Sequence, residues 1–311
     1  MLRRWWSAGL ACSGPDKAKW RHHTDPTEPG RLIMLSYLHA FHAGNFADVQ
    51  KHASLTLALS MMQVKPSGIA CFDTHAGSAV YDLSGERARK TGEADAGVQA
   101  LWRSRGRLAS PDWARLLDVL AGLNSGEGRL ERYPGSPVWF RQVLRPADTL
   151  TAFELHPAEH DQLSGWAADQ RVRVLRQDGL AGLLKQLPPR QPRLLVLIDP
   201  SYEIKSEYSD VAATLEKAWQ KCRHGVFLVW YPILPGGLQE ALKDAVEAGP
   251  VAKVLCSEVR LRQPPERGMA GSGVLVVNPP WGFGERLATM MEAAAEPLGT
   301  DHTVRWLVPE A

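Results

Sequence analysis

From Met34 onward the chain alternates between two hydrophobic periods. Short, nearly unbroken apolar runs recur at Gly68–Asp73, Leu150–Leu155, Val172–Leu175, Leu194–Asp199, Val226–Tyr231, Val254–Leu261 and Val274–Asn278. A strand with one wet face alternates apolar and polar residues, so runs this continuous predict strands covered on both faces by helices. Helical spacing appears at Asn45–Gln63, where His52, Leu55, Leu59 and Met62 share one face. Strands alternating with helices predict a doubly wound α/β sheet. The stretch from about Ser84 to Arg132 breaks the rhythm. Ser110-Pro111-Asp112 is a helix start, with a capping hydroxyl, a proline suited to the first turn and an acid at the positive end of the dipole. Trp113, Leu116, Leu117, Leu120 and Leu123 follow at helical spacing, and a preceding helix is expected over Glu93–Arg103 with Val98, Leu101 and Trp102 turned inward. The expectation is one domain over 34–311 with a small helical insertion.

Composition changes the picture mainly by exclusion. With 44% hydrophobic and 23% charged residues over 311 positions, the chain is an ordinary globular one with room for a real core. No apolar run reaches the roughly 18–20 residues of a membrane helix. Four cysteines without a C-x-x-C pair argue against a zinc cage or a disulfide framework, and fit a reducing cytoplasm. No metal is expected, and a monomer is. The net charge of +2 divides unevenly: residues 1–33 carry +3 and the remainder −1. That first segment lacks a signal peptide's apolar core. Trp5, Trp6 and Trp20 among basic residues would suit a nucleic-acid arm. Its composition favours a simpler expectation, a disordered extension or translation from upstream of a start at Met34.

Candidate chemistry gathers at the ends of the expected strands. Leu194–Ile198 releases Asp199-Pro200-Ser201-Tyr202 where open α/β sheets bind ligands. An exocyclic amine has two N–H groups to donate, and the Asp199 carboxylate and Pro200 carbonyl would accept both while Tyr202 stacks on the base. Those bonds localise the nitrogen lone pair and aim it at an electrophilic methyl group. A bare Asp-Pro after a strand is more often a turn; the whole tetrapeptide after a buried run is more specific. Asp73-Thr74-His75-Ala76-Gly77-Ser78-Ala79 offers small residues for close approach of a ligand. Glu154 is placed to accept from ribose hydroxyls, and Gln177-Asp178-Gly179 to meet an adenine amine. Four polar tips on four strand ends describe a pocket for S-adenosylmethionine facing an amine.

The ordered blocks Tyr37-Leu38-His39-Ala40-Phe41-His42 through Lys51-His52, Asp73-Thr74-His75-Ala76-Gly77, Tyr133-Pro134-Gly135-Ser136-Pro137, Glu154-Leu155-His156-Pro157, Asp178-Gly179, Asp199–Tyr202, Trp230-Tyr231-Pro232, Gly268–Gly273 and Asn278-Pro279-Pro280-Trp281 resemble the bacterial 23S ribosomal RNA adenine-N6 methyltransferases of the J type. The resemblance runs from Met34 to Pro309. It implies a Rossmann-like class I methyltransferase sheet with a small inserted helical subdomain, S-adenosyl-L-methionine as cofactor and one adenine of 23S rRNA as substrate. It further implies cofactor contacts from His52, His75, Ser136, Glu154, Asp178, Gly179 and Asp199, catalysis by Asp199, and substrate contact by Tyr37; Pro200 and Tyr202 join the substrate side. Ser201 stands where the family usually has a second proline, and Ala79 where it tends to have glycine, so a looser loop and a more crowded approach are expected. Pattern alone fits His52 as a core histidine equally well, Ser136 as a turn serine, and Lys51 as a phosphate guide or a solvated lysine.

The rival amine chemistries are methylation of DNA adenine N6 or of a protein glutamine. A dinucleotide-dependent oxidoreductase would need a G-x-G-x-x-G turn that Asp73–Ala79 does not supply. The intact Asp199–Tyr202 argues against a non-catalytic RNA-binding module. With a body of net charge −1, RNA binding is expected to use a local basic patch, for which Arg87, Arg89 and Lys90 are the candidates.

Overall fold

The computed structural model describes residues 38–310 apart from 126, 127 and 169. The expectations for residues 1–33 and for Tyr37 lie outside the described residues.

The elements, in chain order, begin with α1 (Phe46–Met62), β1 (Ile69–Asp73) and β2 (Val80–Asp82). Then come α2 (Glu86–Thr91), α3 (Glu93–Ala96), α4 (Val98–Arg103), α5 (Ala114–Leu123), β3 (Arg132–Pro134) and α6 (Ser136–Val143). The central part holds β4 (Thr149–Phe153), α7 (Pro157–Ala167), β5 (Val172–Leu175), α8 (Gly179–Gln186), β6 (Arg193–Ile198) and α9 (Glu207–Lys221). The last are β7 (Val226–Ile233), α10 (Gln239–Ala248), β8 (Val254–Leu261), β9 (Gly271–Val277), α11 (Phe283–Leu298) and β10 (Thr300–Val308). Eight strands form one sheet in the order β10-β8-β9-β7-β6-β1-β4-β5. Its half from β5 to β7 is parallel, and β9 runs antiparallel between β7 and β8. The chain winds outward from β1 to β4 and β5, then returns to β6 and winds the other way. The crevice between β1 and β6 is therefore the point where strand order reverses, where ligands bind in such sheets.

The unbroken apolar runs are explained by two cores. Along β6, Leu195 and Leu197 join the cluster under α1, α5, α6 and α11, while Leu194, Val196 and Ile198 join the one under α8, α9 and α10. Both faces of the strand are dry, so neither set of positions can be polar.

Helix α1 is buried on nearly every side rather than along one stripe. Its interior polar residues are paired locally: Ser54 and Thr56 hydroxyls donate to carbonyls one turn back, and the Gln50 amide donates to Ser257. Asn45 caps its start by accepting from the Asp48 backbone N–H at 2.9 Å. The helix expected over Glu93–Arg103 is split into α3 and α4 at Gly97. A Cβ there would come within 2.2 Å of the Gly44 carbonyl oxygen, so the backbone passes too close to the start of α1 for any side chain. Between β2 and β3 the structure places α2 to α5, α2 being an addition to the two helices expected there. The sequence reading also missed β10, β2 and β3.

Candidate active site

Parallel register sets the carboxyl ends of five strands side by side. Asp73 pairs with Ala152 on one flank and Leu197 on the other, Phe153 pairs with Leu175, and Ile198 with Val229. Just beyond, in spatial order, stand Asp178, Glu154, Asp73, Asp199 and Trp230. All the strand-end candidates of the sequence analysis thus share one edge of the sheet.

Asp73 closes β1 and is fully buried. Neither carboxylate oxygen has a hydrogen-bond partner among the described residues. Burial pushes its pKa up to about 7; the Ser136 hydroxyl nearby tempers this without reaching hydrogen-bond geometry, and the Asp199 charge adds to it. Sequence reasoning gave this residue no individual role, although an acid ending a fully buried strand was a visible signal. His52 is also buried, with Nδ1 2.7 Å from the Tyr133 hydroxyl and Nε2 unpartnered. Burial first, then the Lys51 charge, holds its pKa well below the usual imidazole value, so the ring is neutral. With Tyr133 as donor to Nδ1, Nε2 carries the proton and is left to donate.

The loop after β1 is tied to its neighbours. The Glu154 carboxylate accepts from the Gly77 and His156 backbone N–H groups, each at 2.7 Å. Burial still raises its pKa. His75 Nδ1 lies 2.8 Å from the Thr74 hydroxyl, and burial lowers its pKa to about 4, leaving it neutral. Asp178 caps α8 by accepting from the Ala181 N–H at 2.8 Å. Beside it, a Cβ on Gly179 would sit 1.8 Å from the Thr74 carbonyl oxygen, so this glycine lets the β1 and β5 loops touch. Ser136 opens α6 and is buried.

At the end of β6, Asp199 is 12% exposed and accepts from the Lys51 ammonium at 2.6 Å. Lys51 is only 5% exposed and also pairs with Asp48 at 2.9 Å. This corrects the sequence reading of Lys51, which is neither a solvated lysine nor a phosphate guide but a buried bridge between two carboxylates. Burial opposes its charge, yet Asp199 and Asp48 hold its pKa above the ordinary lysine value. Burial raises the Asp199 pKa, with Lys51 pulling against it. The missed signal was Asp48 and Lys51, the oppositely charged residues of this helix, three positions apart on one face. Lys51 occupies Oδ2, and no described residue donates to Oδ1 or to the carbonyl of the next residue, Pro200.

Tyr202 is 6% exposed at positive φ, its ring lies 4.4 Å from that of Tyr208, and its hydroxyl donates to the Trp230 carbonyl at 2.8 Å, so it braces the loop that carries Asp199 and Pro200.

Comparison with known proteins bears on what such a site does. The family model described as ribosomal RNA large subunit methyltransferase D, RlmJ, matches residues 66–308. The chain belongs to this family. Ribosomal RNA large subunit methyltransferase J of Escherichia coli K12 is 37% identical over 286 residues, covering 89% of this chain and all of that protein. The protein of the same name from Haemophilus influenzae is 36% identical over 283 residues, with the same coverage. A solved Legionella pneumophila structure superimposes with a TM-score of 0.80 at 31% identity, covering 85% of this chain and 98% of that one. The expected class I methyltransferase fold holds, and the RlmJ-family chain is an enzyme of the methyltransferase class. Among the described residues no helix is long and apolar enough to cross a membrane, and no group of three or more His, Cys, Asp or Glu could hold a metal ion.

Proposed function

We propose that this chain transfers the methyl group of S-adenosyl-L-methionine to N6 of an adenine in 23S ribosomal RNA. The observation that carries the reading is the free acceptor pair, Asp199 Oδ1 and the Pro200 carbonyl, at the strand end bordering the β1–β6 crevice. Membership of the RlmJ family supports the choice of rRNA.

The residues fit the cofactor. Asp73 is a buried carboxylate with two unpartnered oxygens, and His52 a buried imidazole with one unpartnered nitrogen. An amino-acid group satisfies both kinds of atom, its ammonium donating to Asp73 and its carboxylate accepting from His52. Ser136 and His75 flank that end; Glu154, with acceptor capacity left on each oxygen, meets the ribose; Asp178 and Gly179 border the adenine. When bound, the cofactor supplies an electrophilic methyl on a sulfonium. The chain itself supplies position and electrostatics. Asp199 Oδ1 and Pro200 accept the two amine N–H groups and turn the lone pair away from the ring. Lys51 fixes the carboxylate's orientation and pulls its pKa back against the rise that burial imposes. The base must leave its stack to arrive, at a cost of a few kcal/mol that is smaller in single-stranded RNA.

The test is methyl incorporation into protein-free 23S rRNA, duplex DNA and ribosomal proteins, followed by mapping of N6-methyladenine. Label in rRNA that Asp199→Ala abolishes, with the variant still folded by circular dichroism, is the expected result. Label in DNA or a protein alone refutes the proposal, as does near-normal methylation by the variant.

A further inference from the structure

The Tyr133-Pro134-Gly135-Ser136-Pro137 block runs from the end of β3 into α6 and brings a second side chain, besides Ser136, to the cofactor's amino-acid end. We propose that Tyr133 is a positioning residue for that end: its hydroxyl selects the one imidazole state of His52 that turns an N–H toward the bound carboxylate. The inference rests on the cofactor placement given above and not on the choice of rRNA.

His52 is neutral, so its ring carries a single N–H, on one nitrogen or the other. Nδ1 lies 2.7 Å from the Tyr133 hydroxyl, which has no other hydrogen-bond partner among the described residues. Taken alone the pair is ambiguous, because either atom could donate. The pocket removes the ambiguity. Asp73 brings two unpartnered acceptor oxygens and claims the ammonium, which leaves the carboxylate to the unpartnered Nε2 of His52. With the proton on Nδ1, Nε2 would set a lone pair against that carboxylate. The proton therefore sits on Nε2, and the Tyr133 hydroxyl donates to the lone pair of Nδ1.

Packing fixes a different property of the ring. Trp139 lies against His52 with ring centroids 5.4 Å apart and planes tilted by 31°, and all three rings are buried. Such contact holds the imidazole plane, yet a half-turn about the Cβ–Cγ bond keeps that plane and exchanges its edges. Two edges and two tautomers make four states, and one of them presents Nε2–H to the cofactor. Tyr133 tells them apart, since a half-turn faces its hydroxyl with a carbon. The block is held in place by Gly135, where a Cβ would sit 2.3 Å from the Ser78 carbonyl oxygen and whose N–H donates to the Ala79 carbonyl at 2.8 Å. Tyr133 thereby reaches His52 while Ser136 stands near Asp73.

The experiment measures, by calorimetry, affinity for S-adenosylhomocysteine, which has the amino-acid end, and for methylthioadenosine, which lacks it. The proteins are the wild type, Tyr133→Phe, His52→Gln and the double variant. Phe keeps the ring; with one state in four competent, affinity for S-adenosylhomocysteine should fall about fourfold, and that for methylthioadenosine should hold. Gln carries an amide N–H that needs no tautomer, so adding Tyr133→Phe to His52→Gln should cost nothing further. Nitrogen NMR of the His52 ring, assigned by its loss in His52→Gln, should place the proton on Nε2 in the wild type and on both nitrogens in Tyr133→Phe. The inference is overturned by equal losses for the two ligands, by unchanged S-adenosylhomocysteine affinity, by additive losses in the double variant, or by a wild-type proton on Nδ1. If the wild type binds S-adenosylhomocysteine no tighter than methylthioadenosine, the placement of the amino-acid end fails and the inference with it. No nucleic acid enters the measurement, so failure of the rRNA reading is seen separately, in the labelling assay.

Discussion

Replacing Asp73 with Asn should stabilise the cofactor-free protein at pH 8 and leave its stability almost unchanged at pH 4. The Asp73 carboxyl is fully enclosed, makes no hydrogen bond, and has its pKa raised by burial from an ordinary 3.8 to about 7. Below pH 4 both the folded and the unfolded chain hold the proton, and the residue costs nothing electrostatic. Between pH 4 and 7 the unfolded chain releases it while the folded chain keeps it, so stability falls as pH rises. Above pH 7 the loss is complete. At about 1.4 kcal/mol for each tenfold change in proton affinity, the full effect is roughly 4 kcal/mol. Asn is isosteric and neutral, so it carries the same unbonded polar atoms without the titration. Urea denaturation of both proteins at pH 4, 5, 6, 7 and 8 gives two curves that should separate steadily as pH rises, with the variant above. Saturating S-adenosylmethionine should reverse the order, because an ammonium partner turns the ionised Asp73 from a cost into a contact, and wild-type cofactor affinity should climb toward pH 7. Parallel curves from pH 4 to 8, or a variant less stable at pH 8, would refute the claim that Asp73 is buried without a partner.

Three further outcomes follow from the same geometry. Lys51→Met removes the ammonium between Asp48 and Asp199; Asp48 keeps His39 and the Gly44 N–H, whereas Asp199 is left buried without its cation, which should cost about 3–5 kcal/mol in denaturant titration and move the acid limb of the methylation profile to higher pH, because the Asp199 pKa loses the cation that pulls against burial. Gly179→Ala drives a methyl into the Thr74 carbonyl and should weaken cofactor binding by calorimetry at least tenfold, whereas Gly122→Ala, with open space around it, should leave binding unchanged. Reversing the charges of Arg87, Arg89 and Lys90, all exposed on α2 beside the turn His39–Phe41, should weaken RNA binding in filter assays and flatten its dependence on salt, with equal affinity at all salt concentrations as the refuting result.

What could be read in one dimension was decided by which faces are dry. The β6 run Leu194–Ile198 is legible because both of its faces meet a core, so hydrophobicity alone marks it as a central strand. Strand β10 is illegible for the opposite reason: it lies at the sheet edge, and its Asp301, Thr303, Arg305 and Trp306 alternate or face outward in a pattern too polar to register as a strand. The split at Gly97 depends on the distant backbone of Gly44, which no local period can encode. The same division runs through the active site. Asp199, Glu154 and Asp178 stand at strand ends and were legible from position, because an open sheet delivers whatever follows each parallel strand to one edge. Lys51 was not, since it comes from α1, and only the tertiary packing of that helix against the sheet brings its ammonium to Asp199. The chemistry of acceptance can be read from residue types along the chain, whereas the cation that sits on the acceptor carboxylate is chosen by packing.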